Sequence, residues 1–401
     1  MKDKRILICC NRTLNLGGIE KALTTFLRAF DTKKNDVILV LHDSKGVLHA
    51  ELPLEDIVVF YTDSLNAANY LKDDLKNLRV GELIKGVWNR LMLRLDNNWY
   101  ARIMYTYRII QRGLVFPGHF DCAISFTSDY SDLSMVAAAD ADKRISFVHG
   151  DATQGKRAAR LNDHLVCKMD RIYSVSERAG ELFQEVHPGC KGKVDVLHNV
   201  ILPEEIRKKA EEPTAEMLND GKLTICTVGR LSSEKGQQMI PETAQLLRAA
   251  GRDFRWYLVG EGGLRVQLEQ EITKRNMQEH VILLGGKANP YPYMKNCDIY
   301  VQTSLSEAYC ITVAEARILC RPIVTTDAPG LREQITGGEN GIILGAMSPD
   351  ALFEGIQKLA ADPLLQQAFS EKLKSVQCLE EHPLRKLYDY IEDKESMDVK
   401  L

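Results

Sequence analysis

Short apolar runs alternate along the chain with longer stretches in which apolar residues recur every three or four positions. The runs Arg5–Cys10, Asp36–Leu41, Ile57–Tyr61, Asp121–Ser125, Arg144–Val148, Arg171–Val175 and Lys193–Leu197 are rich in Val and Ile. Strands buried on both faces of a parallel sheet have this composition. Between the first two runs, Ile19, Ala22, Leu23, Phe26, Leu27 and Phe30 fall at helical spacing and predict one apolar helix face. The polar segment Leu202–Lys222, with Glu204, Glu205, Lys208, Lys209, Glu211, Glu212 and Pro213, breaks the alternation and reads as an interdomain linker. Strands are then expected again at Leu223–Val228, Arg255–Val259, Val281–Leu284, Asp298–Gln302, Pro322–Thr325 and Gly341–Leu344. Helices are expected at Gln237–Ala250, Leu264–Arg275, Ile311–Cys320, Leu331–Thr336, Pro349–Ala361 and Pro363–Leu379. Two consecutive βα runs predict an α/β protein with two doubly wound, Rossmann-like domains facing a cleft. Ligands in such sheets sit beyond the carboxyl ends of the strands, so residues just after strands carry the interest.

Composition narrows the class without fixing the function. The chain has 401 residues, 45% hydrophobic and 27% charged, which suits a globular protein of two domains of roughly 200 residues each. Its net charge of -3 gives no global attraction to nucleic acid. Ten cysteines occur without a Cys-x-x-Cys, several inside apolar runs such as RILICC and LTICTV, so buried thiols are expected rather than disulfides or zinc. Met1-Lys-Asp-Lys-Arg leads into five apolar residues before Asn11, which does not read as a secretory leader, and the expectation is a cytoplasmic protein.

Two motifs follow strands in the second half. In Val228-Gly-Arg-Leu-Ser-Ser-Glu-Lys-Gly236, Arg230 lies past a strand and Lys235 before a helix. Two cations at such a loop, with a helix N-terminus beside them, suit a diphosphate. For those two basic residues alone, a solvated loop in which Glu234 pairs with Lys235 is the more common reading. In Ser304-Leu-Ser-Glu-Ala-Tyr-Cys-Ile-Thr-Val-Ala-Glu315, two glutamates stand eight positions apart. If helical, that spacing rises about 12 Å, the span from a sugar across a diphosphate to a ribose, and carboxylates accept well from sugar hydroxyls. The N–H groups of Tyr309, Cys310 and Ile311 open the helix and can hold phosphate. The plain alternative is two glutamates on one exposed helix face, which the apolar and small neighbours disfavour.

GRLSSEKG, SEAYCITVAEA, RPIVTTD and NGIIL together resemble the donor domain of family 4 glycosyltransferases, which have the GT-B fold, two Rossmann-like domains. NLGGIE, FVHGD, YSVSE and LHNV extend the resemblance more weakly into the first half. It implies an N-terminal acceptor-side domain over 1–201 with an insertion near 65–116, a nucleotide-sugar donor domain over 202–380, and a helix in 381–401 crossing back. It further implies that Arg230 and Lys235 stabilise the departing diphosphate, that Glu307 lies beside the transferred sugar and that Glu315 binds the ribose. Gly17 and Gly18 match the family's glycine loop near the phosphates, where a tight turn is the plain reading. His149 matches the histidine near the reacting centre, where a hydrogen-bonded histidine at a sheet edge is the plain reading. Many relatives have Glu-Gly-Phe-Gly where this chain has Glu307-Ala308-Tyr309-Cys310, which puts the loop geometry at Cys310 in question.

The function implied is transfer of a sugar from a nucleotide sugar, UDP-hexose before GDP-mannose, to a glycan or lipid-linked acceptor with retention of configuration. It belongs to surface polysaccharide synthesis and calls on no metal and no other cofactor. The rivals are a nucleotide-sugar epimerase or phosphorylase on the same fold, and a non-catalytic binding relative docked at a membrane. Val259-Gly-Glu-Gly-Gly263 lacks the third glycine of a dinucleotide fingerprint, and Asp140-Ala-Asp142 reads as a solvated polar turn rather than a metal motif. Residues 71–113 hold nine basic residues against four acidic ones, with Trp88 and Trp99 among Leu91, Leu93, Leu95, Ile103 and Met104. Such a segment suits either an anionic membrane surface or an ordinary helical insertion with its charges in water.

Overall fold

The computed structural model describes residues 2–62, 116, 118–150, 162–214, 216–218, 220–376 and 383–393. The basic segment 71–113, read as a membrane-facing or helical insertion, lies outside the described residues. By its internal contacts the chain forms two compact units, one of Met1–Asn15, Ile19–Leu197 and Leu384–Leu401, the other of Leu16–Gly18 and His198–Pro383. Each is built on a parallel sheet.

In the first unit the Val- and Ile-rich runs become strands β1 (Arg5–Cys9), β2 (Asp36–Leu41), β3 (Ile57–Tyr61), β4 (Phe120–Ser125), β5 (Ala141–Val148), β6 (Arg171–Ser174) and β7 (Val194–Val196). They are hydrogen-bonded in the order β3-β2-β1-β4-β5-β6-β7, and every neighbouring pair is parallel. Helix α1 (Gly18–Ala29) turns Ala22, Leu23, Phe26 and Leu27 inward, as its spacing predicts. The Phe26 ring meets Phe126 and Phe147 edge-on at 5.4 and 5.8 Å, the geometry aromatic quadrupoles favour.

Two sequence readings need correction in this unit. Asp142 does not sit in a turn, because β5 starts at Ala141 opposite Phe120 and runs on with Lys143 opposite Cys122. Asp140 and Asp142 instead hold the ring of His119 at 3.3 and 3.1 Å, and these hydrogen bonds raise the pKa of His119. Helix α2 (Tyr130–Ala138) was not expected from the pattern. Asp132, Leu133, Ser134, Met135 and Val136 are all buried, so no polar face marks it as a helix.

In the second unit, β8 (Leu223–Val228), β9 (Phe254–Val259), β10 (Val281–Gly285), β11 (Ile299–Gln302), β12 (Ile323–Thr325) and β13 (Ile342–Ile343) form a sheet ordered β10-β9-β8-β11-β12-β13. Each neighbouring pair is again parallel. The supposed linker carries a helix, Pro203–Lys209, whose Ile206 is buried with Ala210 against Tyr291, Met294, Val313 and Ala316. Pro203 opens it, glutamates fill its first turn and Arg207, Lys208 and Lys209 its last, a charge order that favours the helix dipole. Those same charges hid the helix, since its apolar side is only two residues wide. A short helix, Tyr291–Lys295, was likewise unforeseen. The helix after β11 is Ile311–Ile318 and the next one is Pro329–Arg332.

Candidate active site at the strand-order reversal

The second sheet reverses its strand order between β8 and β11. Connections from these neighbours leave toward opposite edges, and a crevice opens beyond their carboxyl ends. The two loops that line it are stitched together by backbone. Gly236, at φ 65°, would place a Cβ 2.0 Å from the carbonyl oxygen of Thr303, so only glycine fits there. The Thr303 hydroxyl donates to the carbonyl of Lys235 at 2.7 Å, and the N–H of Leu305 donates to that of Glu234 at 2.8 Å.

This stitching brings Lys235 to Glu307. The ammonium Nζ donates to Glu307 Oε1 at 2.6 Å, and the Ser304 hydroxyl donates to the same oxygen, also at 2.6 Å. Behind Ser304 stands a buried relay: Gln302 donates its amide to Ser304 Oγ at 2.8 Å, and Tyr300 and Thr312 donate hydroxyls to Gln302 Oε1 at 3.0 and 3.2 Å. A carboxylate held this way is preorganised, and it needs no rearrangement to meet a ligand. Burial works against the charge on Lys235, but the Glu307 carboxylate outweighs it and leaves the pKa raised. Lys235 is therefore a fixed cation at neutral pH. Glu234 does not take Lys235 as its ion-pair partner; Glu307 does.

The other expected residues fall out as follows. Arg230 is an exposed residue of the β8 loop, and its carbonyl accepts from the Gln237 amide at 2.9 Å. Glu315 is buried on the helix Ile311–Ile318, where its Oε1 accepts from the Tyr291 hydroxyl at 3.1 Å. Residues 307–310 are irregular and the helix starts at Ile311, so only the second half of the interval between the glutamates is helical. Cys310 caps that helix at φ 70°, ψ 81°, and burial, then Glu307, pushes its thiol up to about 12. The Tyr309 ring stacks on His198, with centroids 5.2 Å apart. In the first unit, His149 follows β5, lies tilted against Phe126 at 4.8 Å and stacks on Phe147 at 6.0 Å. Gly17 precedes α1 and Gly18 opens it, and a Cβ on Gly18 would meet nothing within 4 Å, so the chain itself does not demand glycine there. Among the described residues no cluster of three or more His, Cys, Asp or Glu side chains is placed to hold a metal ion, and no helix is long and apolar enough to cross a membrane. Every described cysteine is a thiol.

Residues 208–376 match the family model described as Glycosyl transferases group 1. The chain carries a group 1 glycosyltransferase domain. The match encloses the whole β8/β11 crevice, with Arg230, Lys235, Glu307 and Glu315, and the family 4 resemblance read from those motifs holds. Over 187 residues the chain is 32% identical to the N-acetylgalactosamine-N,N'-diacetylbacillosaminyl-diphospho-undecaprenol 4-alpha-N-acetylgalactosaminyltransferase of Campylobacter jejuni, covering 46% of this chain and 48% of that protein. It is 28% identical over 154 residues to the alpha-D-kanosaminyltransferase of Streptomyces kanamyceticus, covering 38% and 40%. The chain thus spans about half the length of the curated relatives it matches. Anabaena Alr3699/HepE, solved with UDP, superposes with a TM-score of 0.71 at 14% identity, covering 98% of this chain and 100% of that one. WaaG, a glycosyltransferase involved in lipopolysaccharide biosynthesis, superposes with a TM-score of 0.63 at 14% identity, covering 96% and 99%. These likenesses establish the fold around the group 1 domain: two Rossmann-like parallel sheets, as in GT-B glycosyltransferases.

Residues that the motifs did not single out complete this domain's crevice. Ser304, Gln302 and Tyr291 position the two glutamates. Ser304 lies three residues before Glu307 and was within reach of a sequence reading, whereas Tyr291 lies 24 residues before Glu315 with no pattern to link them.

Proposed function

We propose that the protein transfers a sugar from a nucleotide sugar to a glycan or lipid-linked acceptor, as a retaining glycosyltransferase of surface polysaccharide synthesis. The observation that carries this reading is the convergence of Lys235 and Glu307 at 2.6 Å beside the start of a helix, where the sheet order reverses. A diphosphate needs a fixed cation and aimed N–H groups, and Lys235, Arg230 and the amides of Tyr309, Cys310 and Ile311 supply them. The sugar–phosphate bond ionises toward an oxocarbenium-like state, and these groups stabilise the charge that develops on the leaving diphosphate. That set of donors calls on no metal. Glu307 takes the sugar hydroxyls and Glu315 the ribose. The leaving phosphate can accept the acceptor's proton, so no separate base is assigned. His149, Gly17 and Gly18 keep their roles near the sugar and phosphates on the family pattern alone.

A UDP-hexose is the first donor to try, supported by the UDP and UDP-glucose held by a protein of the same fold; GDP-mannose is the second. A lipid-linked acceptor draws support from the Campylobacter relative, whose name specifies a diphospho-undecaprenol substrate. Association with the inner face of a membrane through residues 71–113 rests on their charge and tryptophans. The test is turnover of UDP-glucose, UDP-N-acetylglucosamine and GDP-mannose without acceptor, in EDTA, followed by nucleotide release. Slow release of UDP or GDP is the expected result. Interconversion of nucleotide sugars without release identifies an epimerase, pyridoxal phosphate absorbance a phosphorylase, and no turnover with any donor a binding protein.

A further inference from the structure

Gln334 lies just after the helix Pro329–Arg332, and its side chain is almost fully buried. Its amide nitrogen donates to the carbonyl of Tyr309 and, at 3.2 Å, to the carbonyl of Cys310. Nearby, the N–H of Gly330 donates to the carbonyl of Glu307 at 3.2 Å. A Cβ on Gly330 would come within 2.4 Å of the Ala308 oxygen, so the turn 307–310 lies directly on this backbone. Three of the turn's carbonyls therefore point to one side.

Peptide geometry converts this into a statement about the opposite side. In a trans peptide the N–H points away from the C=O of the same plane, and no cis peptide occurs among the described residues. The Tyr309 carbonyl is turned to Gln334, and the Cys310 carbonyl accepts from Gln334 and from the helix's own Val313 and Ala314 N–H groups at 3.2 and 3.3 Å. The N–H groups of Cys310 and Ile311 therefore point away from these donors, out of the opening turn of the helix. Neither N–H meets an acceptor among the described residues. The arrangement holds Cys310 at φ 70°, a left-handed conformation that disfavours any residue with a Cβ. Gln334 Oε1, buried and without a partner among the described residues, makes no bond of its own. What this residue contributes is its donor.

We infer that Gln334 is the positioning residue of the anion-binding turn: it imposes a strained, left-handed Cys310 and so aims two backbone N–H groups at the donor's diphosphate. The inference rests on the proposed nucleotide-sugar site. Two consequences are specific to it. Removing the amide lets Cys310 relax and rotates the two N–H groups off the ligand. Glycine at 310 adopts the left-handed conformation without strain and keeps the turn in place even without the amide.

The experiment is calorimetric titration of UDP, and of GDP in parallel, into the intact protein and three variants, with melting temperatures measured alongside. Gln334→Met is expected to weaken binding tenfold or more, and Gln334→Met/Cys310→Gly to recover most of that loss. Gln334→Glu is expected to bind better, relative to wild type, at pH 5.5 than at pH 8, because only the protonated acid can donate to a carbonyl. Binding by folded Gln334→Met within twofold of wild type overturns the inference. So does a folded double variant no tighter than the single one. Should Gln334→Met fail to fold, a Gln334→Glu/wild-type ratio that does not change with pH overturns it as well. Wild-type protein that binds neither nucleotide overturns the donor reading itself, an outcome distinct from normal wild-type binding with unaffected variants.

Discussion

The first sheet reverses its strand order between β1 and β4, the second between β8 and β11. Topology opens a crevice at both places, but the loops furnish them differently. In the first, Arg12 is taken by Asp129 at 2.7 Å and lies 3.7 Å from Glu20. The buried Asp132 accepts from the N–H of Asn11 at 2.8 Å and from the Thr127 hydroxyl at 2.7 Å, locking the ends of β1 and β4 together. In the second, Lys235 is paired with Glu307 at 2.6 Å, Arg230 is exposed, and the two glutamates also accept from the hydroxyls of Ser304 and Tyr291. One fold thus yields a carboxylate-rich lock in one unit and, in the other, a lysine–glutamate pair at the crevice for which we propose anion binding. Fold alone says where a ligand can sit; the loop chemistry says which.

The comparison breaks most sharply at Lys235. Lys235→Ala is expected to lower turnover by about 10²- to 10³-fold, the size seen when one preorganised donor to developing negative charge is lost. The variant leaves Glu307 without its cation, so a lowered melting temperature is expected as well, and a thermal melt beside the rate assay establishes that the assayed protein is folded.

Asp132 tests the other crevice. Burial raises its carboxyl from an ordinary 3.8 to about 7, against the opposing pull of the Asn11 N–H and the Thr127 hydroxyl. A carboxyl whose folded pKa is raised contributes stability that is full below its unfolded pKa and is lost as pH rises through the folded one. Asp132→Asn carries no charge at any pH. It should therefore gain on wild type between pH 5 and pH 8, by about 2 to 3 kcal/mol if the shift is expressed in full. Denaturant unfolding at the two pH values measures this, and a difference that stays constant with pH denies the buried charge. Smallest is Tyr291→Phe, which removes the hydroxyl from Glu315. A net hydrogen bond of about 0.5–1.5 kcal/mol predicts a UDP dissociation constant weakened by about two- to tenfold with kcat unchanged. A change in kcat alone would separate Glu315 from nucleotide binding.

Much of this was legible in the chain, and the parts that were not share a physical cause. β2 and β8 stand where their Val- and Ile-rich runs put them, because a parallel strand buried on both faces leaves a continuous apolar record. The helix Tyr130–Ala138 left no such record, since a helix buried all round has no polar stripe. Lys235 and Glu307 could be named from their motifs, but not their contact, which depends on β8 and β11 being neighbours. Gln334 was invisible: it acts through a side-chain amide on backbone carbonyls 24 and 25 positions away, and no residue pattern encodes that.

The most direct measurement is the rate of nucleotide release from saturating UDP-glucose, or GDP-mannose if that is the donor turned over, by wild type and folded Lys235→Ala. A loss of two orders of magnitude in kcat is predicted, because on the proposed reading the lysine stabilises the additional negative charge that builds on the diphosphate as the sugar departs. A variant that keeps its rate to within threefold would contradict the assignment of the β8/β11 crevice as the place where the diphosphate leaves.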